Sequence, residues 1–266
     1  MNSLNTTPYS NRELLTLVLI GITGSAAVNI LPFIVNAFTY APGLDVPLAS
    51  QIASIELLAL TVVSLTYKYW KQWGTYKQQV VVGISLYCLG NLAIVLWPSD
   101  MVTMSVFRAV AGFGAGAASA VAFAAIARQD NPDGIFAILI FFQVLWSAAG
   151  SFAMPVLMES VNWNMAFAYM LVFGLFALLY AVLYIPDLTV ETYHSDNPVY
   201  TANWVSKTMI LSASIIWYVA LGLFWGNSAQ TGTEIGVSPV MLGAIFSFGY
   251  LVSLSGNGVA LWLSRR

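Results

Sequence analysis

The chain has 266 residues, of which 59% are hydrophobic and only 8% are charged, and its formal net charge is −2. A soluble domain usually has about 25% charged residues, so this composition excludes an ordinary water-soluble protein and indicates a membrane protein. A net negative charge offers no basic face for nucleic acid. With one cysteine and one histidine, the sequence supplies neither a disulfide framework nor a zinc or iron–sulfur ligand set, so we expect no metal and no cofactor.

Eight apolar runs follow one another along the chain, and each is long enough to cross a membrane as a helix, which takes about 20 residues. They cover residues 13–38, 49–67, 79–97, 101–127, 135–157, 164–185, 207–226 and 240–263. We therefore predict an all-α integral membrane protein with a six-helix bundle over 13–185, a linker over 186–206 and two further helices over 207–266.

Cationic side chains occupy every second gap between these runs. They are Arg12, Lys68, Lys71, Lys77, Arg128, Lys207, Arg265 and Arg266. The alternate gaps, at 39–48, 98–100, 158–163 and 227–239, hold no Lys or Arg. Cations kept on one side are the topology signal of an inner-membrane protein, so we expect residues 1–12, the linker and the C-terminus in the cytoplasm of a bacterial cell.

Proline and glycine inside the apolar runs predict where helices bend and where they approach closely. Pro32 should kink the first helix, and Pro155 should bend or end the fifth. Gly112 and Gly116 give the fourth helix a face of small residues, which lets a neighbouring helix pack against its backbone.

Two formal charges, Glu56 and Arg108, fall deep within the apolar runs. A charge at the bilayer centre costs about 2.5–3.5 kcal/mol on insertion scales, so it persists when it is paired or lines a wet cavity. At 1.5 Å per residue both lie roughly 12 Å below the same face of the membrane, which allows an ion pair between helices two and four. Such a pair either braces the bundle or binds a proton or an anionic group.

The segment Arg108-Ala-Val-Ala-Gly-Phe-Gly-Ala-Gly116 resembles the R-x-x-x-G-x-x-x-G pattern of the fourth helix in the major facilitator superfamily. The loop that holds Lys68, Lys71, Gly74 and Lys77 is similar to the basic, glycine-containing cytoplasmic loop of that family. It lacks the Asp and the adjacent Arg-rich cluster of the family's usual motif. The six helices and cytoplasmic linker also match the first half of the family fold.

The resemblance implies a secondary carrier that moves a small organic solute together with protons by alternating access, with the lipid bilayer as its surroundings. No nucleotide-binding loop of the G-x-x-x-x-G-K-[ST] kind is present, which argues against ATP drive. The sole histidine, His194, lies in a loop and no second buried acid accompanies Glu56, so we do not expect an enzyme.

The family has twelve helices, whereas this chain has eight predicted ones. Three explanations stay open: the chain is a fragment of a longer carrier, which we expect; a second chain supplies the missing helices; or the chain is a membrane scaffold or a transporter remnant that moves nothing.

By analogy with the family, the first, fourth and seventh helices line the cavity, and the fifth flanks it. Candidate substrate contacts are then Asn29, Asn36 and Gln143, with Trp217 and Tyr218 stacking on an organic solute. The alternatives are hydrogen bonds between helices for the amides and packing or lipid contact for the aromatic rings. The glycine face either packs or lines the substrate path, and the arginine is the residue associated with substrate or proton coupling. Asn91 is discounted because the third helix resembles a peripheral one.

Overall fold

The computed structural model describes residues 9–129, 131–187 and 203–264, and these residues form helices joined by short connections. In chain order the helices are α1 (Asn11–Asn29), α2 (Leu31–Thr39), α3 (Val46–Leu65), α4 (Tyr67–Trp70), α5 (Tyr76–Leu96), α6 (Met101–Ile126), α7 (Pro132–Ser160), α8 (Ala166–Tyr184), α9 (Trp204–Trp225), α10 (Ser228–Glu234) and α11 (Pro239–Ser264). A short 3-10 turn, Trp163–Met165, precedes α8.

Seven helical segments within the described residues are long and apolar enough to cross a membrane. They are Asn11–Asn29, Val46–Leu65, Tyr76–Leu96, Met101–Ile126, Pro132–Ser160, Trp163–Tyr184 and Pro239–Gly256. Helix α9 adds a shorter apolar stretch, Trp204–Ile216. The predicted all-α membrane fold is therefore confirmed. Most of the predicted linker, residues 188–202, lies outside the described residues, as do Arg265 and Arg266.

The first apolar run is two helices where the sequence predicts one kinked helix. Helix α1 ends at Asn29, Ile30 leaves the helical backbone with φ −108° and ψ 20°, and α2 begins at Leu31 with Pro32 in its first turn. Proline is tolerated there because the N–H groups of a first turn have no intrahelical partner. The break frees the carbonyl of Asn29, because the N–H of Phe33 donates to Ile30 instead, at 3.0 Å.

Helix α7 runs through Pro155 and continues to Ser160, so this proline does not end the helix. The helix begins where the Asn131 side chain accepts a hydrogen bond from the N–H of Gly134, at 3.1 Å. Such a cap satisfies one of the orphan donors of a helix start.

Helix α6 lies at the centre of the first six spans and packs against α1, α3 and α5. Its glycines make these contacts close. A Cβ on Gly112 would lie 2.9 Å from the carbonyl carbon of Glu56, and one on Gly116 would lie 2.9 Å from the Cα of Leu60. The small-residue face thus brings the backbones of α6 and α3 into direct contact, as in other membrane helix pairs.

The helices α9, α10 and α11 contact the first six spans through α2 and α7. Helix α11 packs along α7, and α10 packs on α2. The Trp225 ring, at the end of α9, lies 5.2 Å from Phe246 and 6.0 Å from Tyr250, while Phe246 meets Phe33 of α2 at 5.4 Å. These four aromatic residues form a cluster that connects α9 and α11 to the first bundle.

Candidate functional site

Glu56 of α3 and Arg108 of α6 form a buried ion pair in which the guanidinium Nη2 donates to Glu56 Oε2. The two side chains are 1% and 0% exposed, respectively. The structure thus brings together the two charges that the sequence places at equal depth, and it encloses them within the bundle.

Local sequence sets that common depth. Helices α3 and α6 begin at the same end of the bundle, and each begins with an aspartate cap. Asp45 accepts from the N–H of Leu48 at 2.9 Å, and Asp100 accepts from those of Val102 and Thr103 at 2.9 and 3.1 Å. Capping aspartates fix where each helix starts, and therefore how far along the helix each buried charge lies.

Two further helices contribute to the site. Arg108 Nη1 donates to Asn91 Oδ1 of α5 at 2.9 Å, and Asn91 Nδ2 donates to the carbonyl of Tyr87 at 2.8 Å. The guanidinium carbon lies 5.0 Å from the centre of the Phe167 ring of α8, which is cation–π range. One arginine therefore connects α3, α5, α6 and α8.

Asn91 and Phe167 were not among the sequence candidates. Asn91 was discounted for lying on a helix of peripheral type. An amide within an otherwise apolar run was the available sequence signal, and the structure buries it fully. Phe167 gives no signal of its own, because an apolar ring in an apolar helix is expected everywhere in such a chain.

The site does not satisfy all of its polar atoms. Within the described residues, Glu56 Oε1, Arg108 Nε and the Tyr87 hydroxyl are buried without a hydrogen-bond partner. Leaving a buried polar atom unpaired costs about 1–3 kcal/mol. These three atoms are therefore open to a further hydrogen-bond partner beyond the described residues.

The predicted substrate contacts are only partly described. Asn36 is buried and Asn29 is half-buried, and the amide nitrogen of each is buried without a partner among the described residues. Gln143 is half-buried on α7. Helix α9 includes positions 217 and 218, but the side chains of Trp217 and Tyr218 lie outside the part that the structure describes.

The basic loop lies at the end of the bundle opposite the capping aspartates. Lys68 is exposed, and Lys71 and Lys77 are half-buried. Gly74 has φ +93°, a left-handed conformation that glycine adopts without steric cost. The Gln79 side chain donates to the carbonyl of Lys71 at 2.8 Å and so holds the loop against α5. No group of three His, Cys, Asp or Glu side chains in the described ranges is placed to hold a metal ion.

The fold is similar to solved transporter structures. One is described as a D-xylose–proton symporter, with TM-score 0.67 and 12% identity; the alignment covers 96% of this chain and 69% of that one. Another is a xylose transporter from E. coli in an inward-open conformation, with TM-score 0.63, 12% identity and coverages of 95% and 68%. A third, a bacterial homologue of the human drug peptide transporters, has TM-score 0.59, 17% identity and coverages of 96% and 53%.

At these identities the structural likeness shows the fold, and the chain spans between about half and about two thirds of each matched structure. A comparison with curated protein sequences returned no match. A family model described as Major Facilitator Superfamily matches residues 14–266, which is nearly the whole chain. The chain therefore belongs to the major facilitator superfamily, a family of multi-pass membrane transporters and not of enzymes.

Proposed function

We propose that this chain acts in proton-coupled secondary transport of a small organic solute by alternating access, with Glu56 as the proton-carrying group. Family membership supports secondary transport. The solute class and the proton coupling are the finer parts of the proposal. They are supported by the buried ion pair and by the likeness of the fold to a D-xylose–proton symporter and to a homologue of peptide transporters.

The observation that supports the proton role is the position of Glu56 at a close contact between α3 and α6. Its carboxylate holds Arg108, and its main chain touches Gly112. A proton on Glu56 would remove the charge that holds the guanidinium and leave Arg108 with Asn91 and Phe167 alone. Protonation would thereby change the contacts that Arg108 makes among α3, α5, α6 and α8. Coupling of a proton to a conformation requires such a change.

A structural role of the pair is the competing explanation, and its burial favours that role in the conformation described. A proton carrier must exchange protons with water, and neither side chain reaches the surface here. The proposal therefore requires a second conformation that brings Glu56 to water, as alternating access supplies. A scaffold or remnant would need no such conformation.

Asn29 and Asn36 are the proposed solute contacts with the best support, because each has a buried amide nitrogen without a partner among the described residues. Such donors suit the hydroxyl or carbonyl oxygens of a sugar or a peptide. Gln143, Trp217 and Tyr218 stay predictions from the sequence. Gly112 and Gly116 are proposed as packing residues rather than as part of a substrate path, since both lie against α3.

The proposed orientation has both termini in the cytoplasm, because the described Lys and Arg side chains other than the buried Arg108 lie at the end where α1 begins. At the other end, α10 and the first part of α11 close on α2 and α7. Towards the cytoplasmic end Leu251 and Val252 of α11 are exposed. The inward-open xylose transporter is among the structures that the fold resembles.

Transport can be tested in proteoliposomes with an inward proton gradient and radiolabelled D-xylose and dialanine as the first probes, followed by a panel of small organic solutes. We expect one solute to accumulate above its equilibrium level and a protonophore to abolish the accumulation. A scaffold predicts no flux of any solute. Accumulation that persists with the protonophore would contradict proton coupling.

A further inference from the structure

A cavity of about 300 Å³ opens at the end of the bundle where α3 and α6 begin. Tyr40, at the end of α2, lines it together with Pro155 and Glu159 of α7, Trp163 of the 3-10 turn and Pro239 at the start of α11. The cavity therefore lies between the first six spans and α11, and it is separate from the buried Glu56–Arg108 pair.

Charge at this end of the molecule is of one sign. The described connections and helix ends here carry Asp45, Asp100, Glu159 and Glu234 and no Lys or Arg. Asp45 and Asp100 cap helices, and Glu234 accepts from the Gln230 side chain at 3.4 Å. For Glu159 the described part of the chain provides no hydrogen bond or ion pair. A surface of uniform negative charge attracts cations, and its one uncommitted carboxylate lines the cavity.

Two aromatic side chains line the cavity beside this carboxylate. Tyr40 lines the cavity and is 54% exposed. Trp163 is mostly buried and is held by Phe38 and Phe167, with ring centres 6.0 and 6.4 Å away. Aromatic faces together with a carboxylate are the chemistry that recognises alkylated ammonium groups.

We infer that this cavity binds an organic ammonium group, of the kind that choline and ethanolamine carry. Two sources present that group at a membrane surface, namely a lipid headgroup and a free amine in solution. Since the lining comes from both α7 and α11, a bound ammonium group bridges the first bundle and α11 and favours the conformation in which the two are in contact. The inference does not depend on the solute or on the proton role of Glu56.

The first test compares two ligands of the same shape. Purified full-length chain in a maltoside detergent, which has no ammonium group, is titrated by calorimetry with choline and with its neutral isostere 3,3-dimethylbutan-1-ol. We expect saturable binding of choline and at least about tenfold weaker binding of the isostere, since the isostere lacks the cation–π and charge interactions. Equal binding of the two ligands, or no binding of choline together with the lipid result below, overturns the inference.

The second test uses variants of the lining. Glu159→Gln and Tyr40→Ala should each weaken choline binding about tenfold, whereas Tyr40→Phe, which keeps the ring, should bind like the parent chain. Glu234→Gln is the matched control, because it removes the same charge at the same end outside the cavity. Glu159 and Tyr40 are exposed, so these variants should fold. Choline binding that Glu159→Gln leaves unchanged overturns the inference.

The third test separates the two sources. The chain is reconstituted with an equal mixture of phosphatidylethanolamine and phosphatidylglycerol, extracted, and examined by native mass spectrometry for retained lipid. Retention of phosphatidylethanolamine that is lost in Glu159→Gln identifies a headgroup as the ligand. Choline binding without such retention identifies a free amine. If the chain neither binds choline nor selectively retains phosphatidylethanolamine, the inference is overturned.

Discussion

The hydroxyl of Tyr250, on α11, donates a hydrogen bond to the main-chain carbonyl of Asn29, the last residue of α1. The acceptor is free because α1 stops there and a new helix begins at Leu31, with Pro32 in its first turn. The helix break thus creates a site on the first bundle to which α11 attaches, beside the ring contacts of Phe33 and Trp225 with Phe246.

Tyr250→Phe should loosen this attachment while it keeps the ring contact with Trp225. Loss of one hydrogen bond of about 1 kcal/mol shifts a two-state equilibrium about fivefold. Spin labels at Val102→Cys on α6 and at Ile235→Cys after α10 report the distance between the first bundle and the last helices, and both positions are exposed. The native Cys88 is buried and should not take the label. We expect a larger population of long distances by double electron–electron resonance. Tyr69→Phe, at an exposed ring, is the control. Identical distance distributions in Tyr250→Phe and Tyr69→Phe would contradict the role of Tyr250.

The ion pair should show the stability pattern of a buried pair. Glu56→Gln or Arg108→Met alone leaves one buried charge without its partner, so each should lower the free energy of unfolding by about 3–5 kcal/mol. The double variant removes both charges, and the methionine side chain can still pack on Phe167. We expect it to recover most of the loss, measured by denaturant unfolding in detergent. A double variant that is less stable than either single one would show that the charges do not act as a pair.

Gly112→Ala should be destabilising by about 1–3 kcal/mol, as overpacking is in a close-packed core. The added Cβ would lie 2.9 and 3.0 Å from main-chain atoms of Glu56, which cannot move aside as a side chain can. Gly249→Ala on α11 is the matched control, since no atom lies within 4 Å of its added Cβ. The measurement is the midpoint of thermal unfolding. Equal midpoints for the two variants would mean that α3 can shift freely along α6.

Asp100 predicts an acid-dependent part of the stability. Its hydrogen bonds from the side chain and backbone N–H of Thr103 lower the pKa of this carboxyl from 3.8 to about 2. A carboxyl whose pKa is lower in the folded chain stabilises the fold above about pH 4 and loses that effect as the pH falls towards 2. Melting temperatures recorded from pH 5 to pH 2 should therefore fall less in Asp100→Asn than in the parent chain. Asp187→Asn, which changes an exposed carboxylate outside a helix cap, is the control, and its melting temperature should fall as much as that of the parent chain.

Several spans were predictable to within a few residues, as the run 101–127 and the helix Met101–Ile126 show, because lipid requires long apolar segments whose backbone bonds are internal. For the run 207–226 the described residues give only the shorter apolar stretch Trp204–Ile216. Equal depth and opposite charge allowed a pairing of Glu56 with Arg108, and the structure shows that pair. The break at Ile30 was not predicted, because Pro32 indicates a distortion without fixing on which side a new helix begins. Asn91 and Phe167 join the site through the packing of α5 and α8, and packing partners of this kind cannot be derived from residue type.

The most direct test of the proton role compares the parent chain with the Glu56→Gln/Arg108→Met double variant, for whichever solute the parent accumulates under an inward proton gradient. Both are first shown to unfold with similar midpoints, so that folding does not decide the result. We predict that the double variant lets the solute equilibrate and does not accumulate it. Accumulation by the double variant to the level of the parent would contradict the account, because the carboxyl would then be dispensable for coupling.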